Sequence, residues 1–376
     1  MTDYQKQLLD ALAAALFAAP PAGPLSREAQ EEALRQAVYP LVVDDVAALQ
    51  RVTKNVQVCY EQDKLAKALE GVPFVILKGL AAAIYYPDPM KRTLGDIDLI
   101  VAPEDFTRAC AALPAAGFTT DELPDESKRH VHFCQNGVNI ELHRRFASCN
   151  TRKQEELLDG WIFAALREPV TAEVGQFRFP MLPEELNGLV LLTHISQHLE
   201  GGLGLRQILD WVMFVDKALP DEKWERFKEK TDQLGLTTLA VAAARIGQLY
   251  LGAYPGNTWC AREDALAAAF LDYAFSCGNF GTKLGKNASV TQVMSQGKGS
   301  VLGHLQKRGE ANWKALEQHP ALKPFAWLYQ AGRYAKAGLR RGLSAGDLKQ
   351  SLDESRKRSD LIEKLGALQL SVREKE

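Results

Sequence analysis

The sequence predicts an α+β protein in which a small mixed-sheet unit is framed by N-terminal helices and followed by a larger, all-helical C-terminal part. Two patterns lead to this fold class. Short apolar runs bounded by turn residues are concentrated between residues 72 and 150, as expected for strands. Helical periodicity dominates before and after that segment. A chain of 376 residues also exceeds the usual size of one hydrophobic core, so we expect more than one domain.

The same change of pattern predicts how the chain is divided. We expect N-terminal helices that pack on the α/β unit over residues 1–71, the α/β unit itself over 72–150 and a helical domain over 151–376. The N-terminal helices are predicted at about 3–19, 26–37 and 42–70. The glycine that follows the third of them is a natural C-terminal stop.

Within the α/β unit, strands are predicted from apolar runs and helices from their start and stop residues. Pro103 opens a helix at its first position. Asn136-Gly137 joins two alternating runs at the two residues that a type I′ hairpin turn favours. The predicted elements are a strand at 73–77, a helix at 80–85, a strand at 96–101, a helix at 103–116, a strand at 117–119 and hairpin strands at 130–135 and 138–143.

Beyond residue 150 the pattern is almost wholly helical. Two short strands are expected near 169–172 and 176–179, and the segment from Gly278 to Gly299 is rich in Gly, Asn and Ser, which indicates a long loop. The predicted helices lie at about 152–167, 183–199, 203–218, 221–234, 236–252, 262–275, 300–317, 321–341 and 345–368.

Composition and charge exclude several classes of protein. The formal net charge of −2 gives no overall attraction to nucleic acid or to an anionic membrane. No apolar run approaches the roughly 18 residues that a membrane span needs, and the stretch at 11–19 lacks the basic flank of a signal peptide. The six cysteines form no C-x-x-C pair, which argues against a zinc ribbon or a disulfide framework. We therefore expect a cytoplasmic protein with no membrane partner.

Asp96 and Asp98 open the predicted strand at 96–101. Because strand side chains alternate, both carboxylates point to one face while Ile97 and Leu99 point into the core. Two adjacent carboxylates repel each other unless a cation lies between them, and hard divalent cations such as Mg²⁺ prefer such oxygen ligands. An Asp-x-Asp pair alone is close to chance, but its place on a buried strand favours a metal site.

Glu141 is the predicted third member of this cluster. In the run from Val138 to His143 the odd positions are polar and the even ones apolar, so Glu141 shares a face with Asn139 and His143. If this strand lies beside the strand at 96–101, three carboxylates converge, as in two-metal phosphoryl-transfer sites.

The three carboxylates also have a purely structural interpretation. In that case Asp96 caps a strand, Asp98 is solvated, and Glu141 pairs with Arg144 or Arg145. The carboxylates alone do not decide between the two interpretations, so the residues around them matter.

Lys78-Gly79 lies where a predicted strand turns into a helix. A glycine at such a turn lets backbone N–H groups approach phosphate oxygens closely. Lys78 would add a positive charge, and Arg92, four residues before Asp96, would bind phosphate through two hydrogen bonds. Alternatively, Gly79 only makes a tight turn and both cations are surface charges. The apolar residues before and after Lys78-Gly79 argue against full solvation of the lysine.

These motifs, in this order, resemble one known family. The runs are Ile76-Leu77-Lys78-Gly79, Tyr85-Tyr86-Pro87-Asp88-Pro89, Arg92, Gly95-Asp96-Ile97-Asp98-Leu99 and Ile140-Glu141-Leu142-His143. Together they resemble the uncharacterised nucleotidyltransferase family of the DNA polymerase β superfamily, over roughly residues 55 to 220. The set is fairly specific, although each motif alone is weak.

The resemblance implies a minimal nucleotidyltransferase core with Mg²⁺ or Mn²⁺ as its cofactor. The catalytic and metal-binding residues that it implies are Asp96, Asp98 and Glu141, and the residues at the nucleotide phosphates are Lys78, Gly79, Arg92 and Gly95. The chain departs from the wider superfamily at one point. The usual Gly-Ser phosphate turn is Gly79-Leu80 here, so this turn offers no serine hydroxyl to the triphosphate.

Two residue pairs on the following helices are candidate cleft residues. His194 and His198 stand at i, i+4 on one helix face, a spacing that can bind zinc, but the glutamate of an H-E-x-x-H motif is missing. Arg206 and Asp210 form another such pair. In the family a His-rich helix followed by an Arg…Asp helix is common, which implies that these four residues lie near the cleft together with His143. Packing against the catalytic unit is the alternative.

The expected activity is transfer of a nucleoside monophosphate from a nucleoside triphosphate to an acceptor, with release of pyrophosphate. ATP is the expected donor because it is the most abundant triphosphate, and the acceptor is not indicated. Basic clusters at 340–341 and 356–358 with nearby aromatic residues leave RNA binding open, but solvated helix faces and helix packing explain them equally well. Two other classes remain: a non-catalytic nucleotide-binding or regulatory protein on the same fold, and an interaction protein whose helical half is the working part.

Overall fold

A computed structural model gives the architecture of the chain. It describes residues 1–36, 45–122, 128–199, 202–277, 305–306, 309–310, 312–316, 319–340 and 357–367. The loop predicted at 278–299 lies outside the described residues, as do parts of the helices predicted at 300–317 and 345–368. Within the described residues, no helix is both long enough and apolar enough to cross a membrane.

The elements follow the predicted order closely. The helices are α1 (Asp3–Phe17), α2 (Arg27–Gln36), α3 (Asp45–Ala68), α4 (Gly79–Ala83), α5 (Phe106–Ala115), α6 (Arg152–Ala165), α7 (Glu184–His198), α8 (Leu205–Ala218), α9 (Asp221–Leu234), α10 (Thr237–Ile246), α11 (Asp264–Cys277) and α12 (Ala326–Arg340). The strands are β1 (Phe74–Leu77), β2 (Ile97–Val101), β3 (His130–Gln135), β4 (Val138–His143), β5 (Val170–Val174) and β6 (Phe177–Met181). Short 3-10 or π turns occupy Pro89–Lys91, Gly247–Leu251, Lys314–Leu316 and Pro320–Phe325.

The six strands form one mixed sheet in the order β3-β4-β2-β1-β6-β5. β2 runs parallel to β4 and antiparallel to β1. The register places Asp98 beside Glu141 on one side and beside Leu77 on the other. The β3–β4 hairpin turns at Asn136 and Gly137, whose φ angles of 50° and 73° are both in the left-handed region that the predicted type I′ turn requires.

The two faces of the sheet are covered by different parts of the chain. One face buries Ile76, Ile97 and Leu99 under α3 and α5. The other face buries Val75 and Ile100 in a core shared with the helices that follow the sheet. Because side chains alternate along a strand, the even-numbered β2 residues and the odd-numbered β4 residues face this helical half.

The predicted division implied that the sheet ends near residue 150, but the sheet continues beyond that residue. The β5–β6 hairpin lies in the same sheet, where Met181 pairs with Ile76 of β1 in parallel. Its buried side chains, such as Phe179, belong to the core under α3. The two short strands were predicted, but their partner was not, because α6 separates them from the rest of the sheet in the sequence.

Three smaller differences concern single elements. Asp96 precedes β2 instead of opening it. The strand predicted to begin at 117–119 is reduced to one bridge between Thr119 and Cys134. Helix α1 packs on the turn at Gly247–Leu251 and buries its leucines in the helical core, whereas α3 packs against the sheet at β4 and β6. The apolar stripe of α1 predicts burial, but it does not say against which partner.

Candidate functional site

A cavity of about 610 Å³ opens between the sheet and the helices α7 and α8. Every residue predicted above for the site lines it: Lys78, Gly79, Arg92, Gly95, Asp96, Asp98, Glu141, His143, His194, His198, Arg206 and Asp210. The fold therefore brings together residues that are spread from Lys78 to Asp210 in the sequence, and their individual roles remain predictions.

The centre of the cavity is a compact charge cluster on the neighbouring strands β2 and β4. The Lys78 Nζ atom lies 2.7 Å from Asp98 Oδ1. The His143 Nε2 atom lies 3.1 Å from Asp98 Oδ1 and 3.4 Å from Glu141 Oε2. Asp98 is only 6% exposed, so the interpretation in which this carboxylate is solvated is wrong.

Three side chains of this cluster offer ligand atoms within 4.8 Å of one another: Asp98, Glu141 and His143. Two carboxylates and an imidazole fit a divalent cation. The predicted set contained Asp96 in place of His143. Asp96 is exposed at the cavity mouth, where its Oδ1 atom is 3.5 Å from Asn139 Nδ2. Alternation placed His143 on the correct face, but a histidine was not considered as a ligand.

The electrostatics of the cluster follow from these contacts. The contact with His143 holds the pKa of Glu141 well below its usual range. Burial acts in the opposite direction, and the Lys78 charge lowers the pKa of Glu141 further. Burial lowers the pKa of His143, but the hydrogen bonds to Asp98 and Glu141 outweigh it, so that the pKa is raised. Loss of solvation at the cavity mouth and then the charges of Asp98 and Glu141 raise the pKa of Asp96. The carboxylates are thus close enough to interact strongly.

Lys78-Gly79 makes the turn between β1 and α4. Lys78 has φ 53° and ψ −149°, and Gly79 has φ 45°, a left-handed conformation that favours glycine. A Cβ atom at Gly79 would lie 3.6 Å from the Asp96 carbonyl oxygen. This turn aims the lysine back across the sheet onto Asp98, where its side chain is 13% exposed, so Lys78 is a largely shielded cation and not a solvated surface charge.

Arg92 is bound to a protein partner in the structure. Its Nε and Nη2 atoms donate to the two carboxylate oxygens of Asp210 at 2.8 and 2.6 Å, and its Nη1 donates to the Thr93 carbonyl at 3.1 Å. Tyr86 also donates to Asp210, at 2.8 Å. The predicted phosphate contact of Arg92 would require it to leave this buried pair. The partners are 118 residues apart in sequence, so the pairing was not predicted.

Arg206 is the arginine of α8 that lies against the predicted phosphate residues. A Cβ atom at Gly95 would be 3.9 Å from Arg206 Nη1, so the missing side chain makes room for this guanidinium. Burial and then the Arg92 charge lower the pKa of Arg206 to about 10. The group is therefore still a cation at neutral pH.

The chain matches one family model, described as an uncharacterised nucleotidyltransferase, over residues 22–252. The chain belongs to this family. A structure that resembles it is described as the crystal structure of an antigenic nucleotidyltransferase-like protein from Paracoccidioides brasiliensis. That protein is 15% identical over 54% of this chain and 93% of its own, with a TM-score of 0.29. No curated protein matches the sequence.

The family match is wider than the resemblance found from the motifs, which covered roughly 55 to 220. It begins before α2 and ends after α10, so it contains every residue that lines the cavity. The helices α7 and α8, which form one wall, are thus part of this nucleotidyltransferase family unit.

The two histidines of α7 lie on that wall of the cavity. Their rings meet edge to face, with centroids 4.5 Å apart. Burial and then the Lys78 charge lower the pKa of His198 to about 4 and hold the pKa of His194 well below its usual range. Both imidazoles are therefore neutral at neutral pH.

Sequence reasoning missed a second group of cavity residues. They are Arg129, His130, Arg145, Phe146, Ser148, Gln197 and Gln207. The hairpin register contained a signal for His130, because it pairs this residue with His143. Gln207 had no such signal. Its Oε1 atom accepts from the Gly204 N–H at 3.2 Å, while its buried Nε2 atom has no hydrogen-bond partner within the described part of the chain.

Proposed function

We propose that this family member is a metal-dependent nucleotidyltransferase that moves a nucleoside monophosphate from a nucleoside triphosphate to an acceptor hydroxyl. ATP is the expected donor. The observation that carries the proposal is the pairing of Asp98 with Glu141 on parallel strands, with the Lys78 ammonium 2.7 Å from Asp98, inside a cavity large enough for a nucleotide.

The proposed cofactor is Mg²⁺ or Mn²⁺. Asp98 and Glu141 would hold it, with Asp96 at the cavity mouth as the third carboxylate and His143 as an additional donor. A divalent cation held there would neutralise charge on the triphosphate and lower the pKa of an acceptor hydroxyl. The fit rests on the donor atoms of Asp98, Glu141 and His143, which lie within 4.8 Å of one another.

The remaining residues would position the reactants. Lys78 and the backbone of Gly79 would bind the triphosphate, and Gly95 leaves space beside it. Arg92 would act indirectly, because its pair with Asp210 fixes α8 and hence Arg206 against the sheet. In the reaction the acceptor oxygen attacks the α-phosphorus, the bond to the bridging oxygen breaks, and pyrophosphate leaves. The ionised Glu141 is the proposed acceptor of the hydroxyl proton.

The test is label transfer from each α-³²P-labelled triphosphate, with Mg²⁺ or Mn²⁺, to components of a cell extract. We expect label to appear on an acceptor with wild type and to vanish with Asp96→Asn/Asp98→Asn. Asp63→Asn is the matched control, because Asp63 pairs with Lys67 on α3, away from the cavity. Equal labelling by the double variant and wild type would show that the carboxylate assignment is wrong.

A non-catalytic nucleotide-binding protein is the second candidate. It is favoured by one observation: Leu80, where the wider superfamily has serine, is buried in the core and offers no hydroxyl to a phosphate. The same assay separates the candidates. Binding of a triphosphate with Mn²⁺ but no transfer to any acceptor favours this second function, and no metal-dependent nucleotide binding at all favours a protein whose helical half is the working part.

A further inference from the structure

Arg129 and Arg145 line the same cavity as Lys78, and the strand order places Arg129 on the far side of the sheet from it. The strand order explains their place, since β1, β2, β4 and β3 follow one another across the sheet. Lys78 follows β1, and Arg129 directly precedes β3. Three strand spacings separate these strands by roughly 14 Å. The carboxylates on β2 and β4 therefore lie between two basic ends.

The two arginines belong to one folded segment. The Arg129 carbonyl oxygen accepts hydrogen bonds from the N–H groups of Arg144, at 2.8 Å, and Arg145, at 3.2 Å. The loop after β4 is held in turn by α6, where the buried Asp159 accepts from the N–H groups of Phe146 and Ala147 at 3.1 and 2.9 Å. The arginines are thus presented by a fixed backbone.

The guanidinium groups of these two residues have unused hydrogen-bonding capacity. Among the residues that the structure describes, Arg129 has one ion pair, in which Nη1 lies 3.5 Å from Glu155 Oε1. Its Nη2 atom is buried and has no hydrogen-bond partner in the described part of the chain. Arg145 is exposed at the cavity, and across the described ranges it makes no ion pair. Two guanidinium groups on one wall fit a phosphate group, which accepts several N–H donors at once.

The position of these arginines also fits the geometry of the proposed reaction. In an in-line displacement the acceptor and the leaving pyrophosphate lie on opposite sides of the reacting phosphorus. If the pyrophosphate end is at Lys78-Gly79, the acceptor must approach from the Arg129 side. A net charge of −2 gives no broad attraction for nucleic acid, which favours a small acceptor over a polynucleotide.

We propose that Arg129 and Arg145 form an acceptor subsite that binds the phosphate group of a small phosphorylated hydroxyl compound. The assignment of this group to an acceptor rests on the proposed nucleotidyl transfer, whereas the binding of phosphate by the two arginines does not. The substrate class is therefore a metabolite with both a free hydroxyl and a phosphomonoester.

Binding tests the subsite without any chemistry. Glycerol 3-phosphate and, separately, inorganic phosphate are titrated into wild type, Arg145→Gln, Arg129→Gln/Arg145→Gln, Lys78→Gln and Arg178→Gln, with isothermal calorimetry as the readout. Arg178 is the matched control, a surface arginine paired with Glu173 outside the cavity. Arg145→Gln removes an exposed side chain, so it tests the subsite even if the double variant fails to fold.

We expect Arg145→Gln to weaken glycerol 3-phosphate binding about tenfold and the double variant to weaken it further, because each charge-assisted bond contributes about that factor. Arg178→Gln should bind within about twofold of wild type. The subsite is overturned if wild type binds neither phosphate compound, if Arg145→Gln binds like wild type, or if Lys78→Gln weakens binding as much as Arg145→Gln.

A second titration separates this proposal from the proposed function. A non-hydrolysable ATP analogue with Mn²⁺ should bind to Arg145→Gln as to wild type and be lost in Lys78→Gln. If the analogue binds to no variant while phosphate binding still depends on Arg145, the proposed function fails and the subsite stands. In label-transfer assays, equal transfer to glycerol and glycerol 3-phosphate would overturn the acceptor assignment alone.

Discussion

The two faces of strands β2 and β4 differ completely in character. On one face Ile97, Leu99, Ile140 and Leu142 are buried under α3 and α5. On the other, Asp98 and His143 are almost as deeply buried, but each contacts a charged partner. The same strands thus carry a packed core on one side and the candidate site on the other. Substitutions of adjacent residues along one strand should therefore have different effects, either on activity or on stability.

Asp98→Asn should have the largest effect on activity. The substitution keeps the shape of the side chain but removes the charge that Lys78 and His143 contact. We expect label transfer to fall at least about a hundredfold, the scale of losing one electrostatic group of an active site. The measurement is transfer rate at saturating triphosphate, with circular dichroism to establish that the variant is folded. Transfer within threefold of wild type would contradict the role of Asp98.

Among substitutions of the charged cavity residues, Asp210→Asn should reduce the stability of the fold most. It leaves the Arg92 guanidinium, only 5% exposed, without its buried counter-charge. Breaking one partner of a buried pair costs about 3–5 kcal/mol, measured as the free energy of urea unfolding. The double variant Arg92→Met/Asp210→Leu should recover most of this loss, because no unpaired charge remains. A double variant as unstable as the single one would mean that the pair is not the cause.

Leu99→Ala tests the apolar face next to Asp98. Leu99 is fully buried, and such a truncation costs about 2–5 kcal/mol through lost burial and the cavity left behind. We expect the melting temperature to fall while label transfer per folded molecule stays within about twofold of wild type. A large loss of transfer in the folded state would show that the two faces are not independent.

Lowering the pH should reduce the stability of the fold through a histidine that lines the cavity. The pKa of His198 is lowered from 6.5 to about 4, so the folded protein resists a proton that the unfolded chain accepts. Stability is therefore complete above pH 6.5 and declines as pH falls from about 6.5 towards 4. Between pH 7 and pH 5, the free energy of unfolding should fall by about 2 kcal/mol because of His198 alone.

His198→Gln should lose correspondingly less stability over that range, as measured by urea unfolding at both pH values. Leu99→Ala is the comparison, because it should keep the pH dependence of wild type. Identical pH dependence in wild type and His198→Gln would contradict the lowered pKa.

Local patterns were sufficient to predict much of the fold and many of the residues that line the cavity. Alternation alone placed Asp98 and Glu141 on the same faces of their strands, and Asn136-Gly137 fixed the hairpin turn. The two carboxylates come together because β2 pairs in parallel with β4. The sequence analysis assumed this pairing as a condition, because the sequence alone does not show which strands are neighbours. The sequence predicted the face of β4 on which His143 lies, but not its contacts with Asp98 and Glu141.

What could not be predicted depends on contacts between distant segments. The Arg92–Asp210 pair joins residues in different halves of the chain, and Arg129 reaches the cavity only because β3 pairs with β4. The place of β5 and β6 in the sheet depends on how α6 packs. In each case the residue types are compatible with several partners, and only the packing of whole elements selects one.

The placement of β6 beside β1 has a practical consequence for anyone who wishes to dissect the protein. A fragment that ends near residue 150 would leave β1 as a bare sheet edge, with unpaired backbone groups that invite aggregation. It would also lack Phe179 and Met181 from the core under α3. The charged cluster on β2 and β4 therefore cannot be isolated with the first four strands alone, and the shortest truncation that keeps the whole sheet must extend at least to Met181.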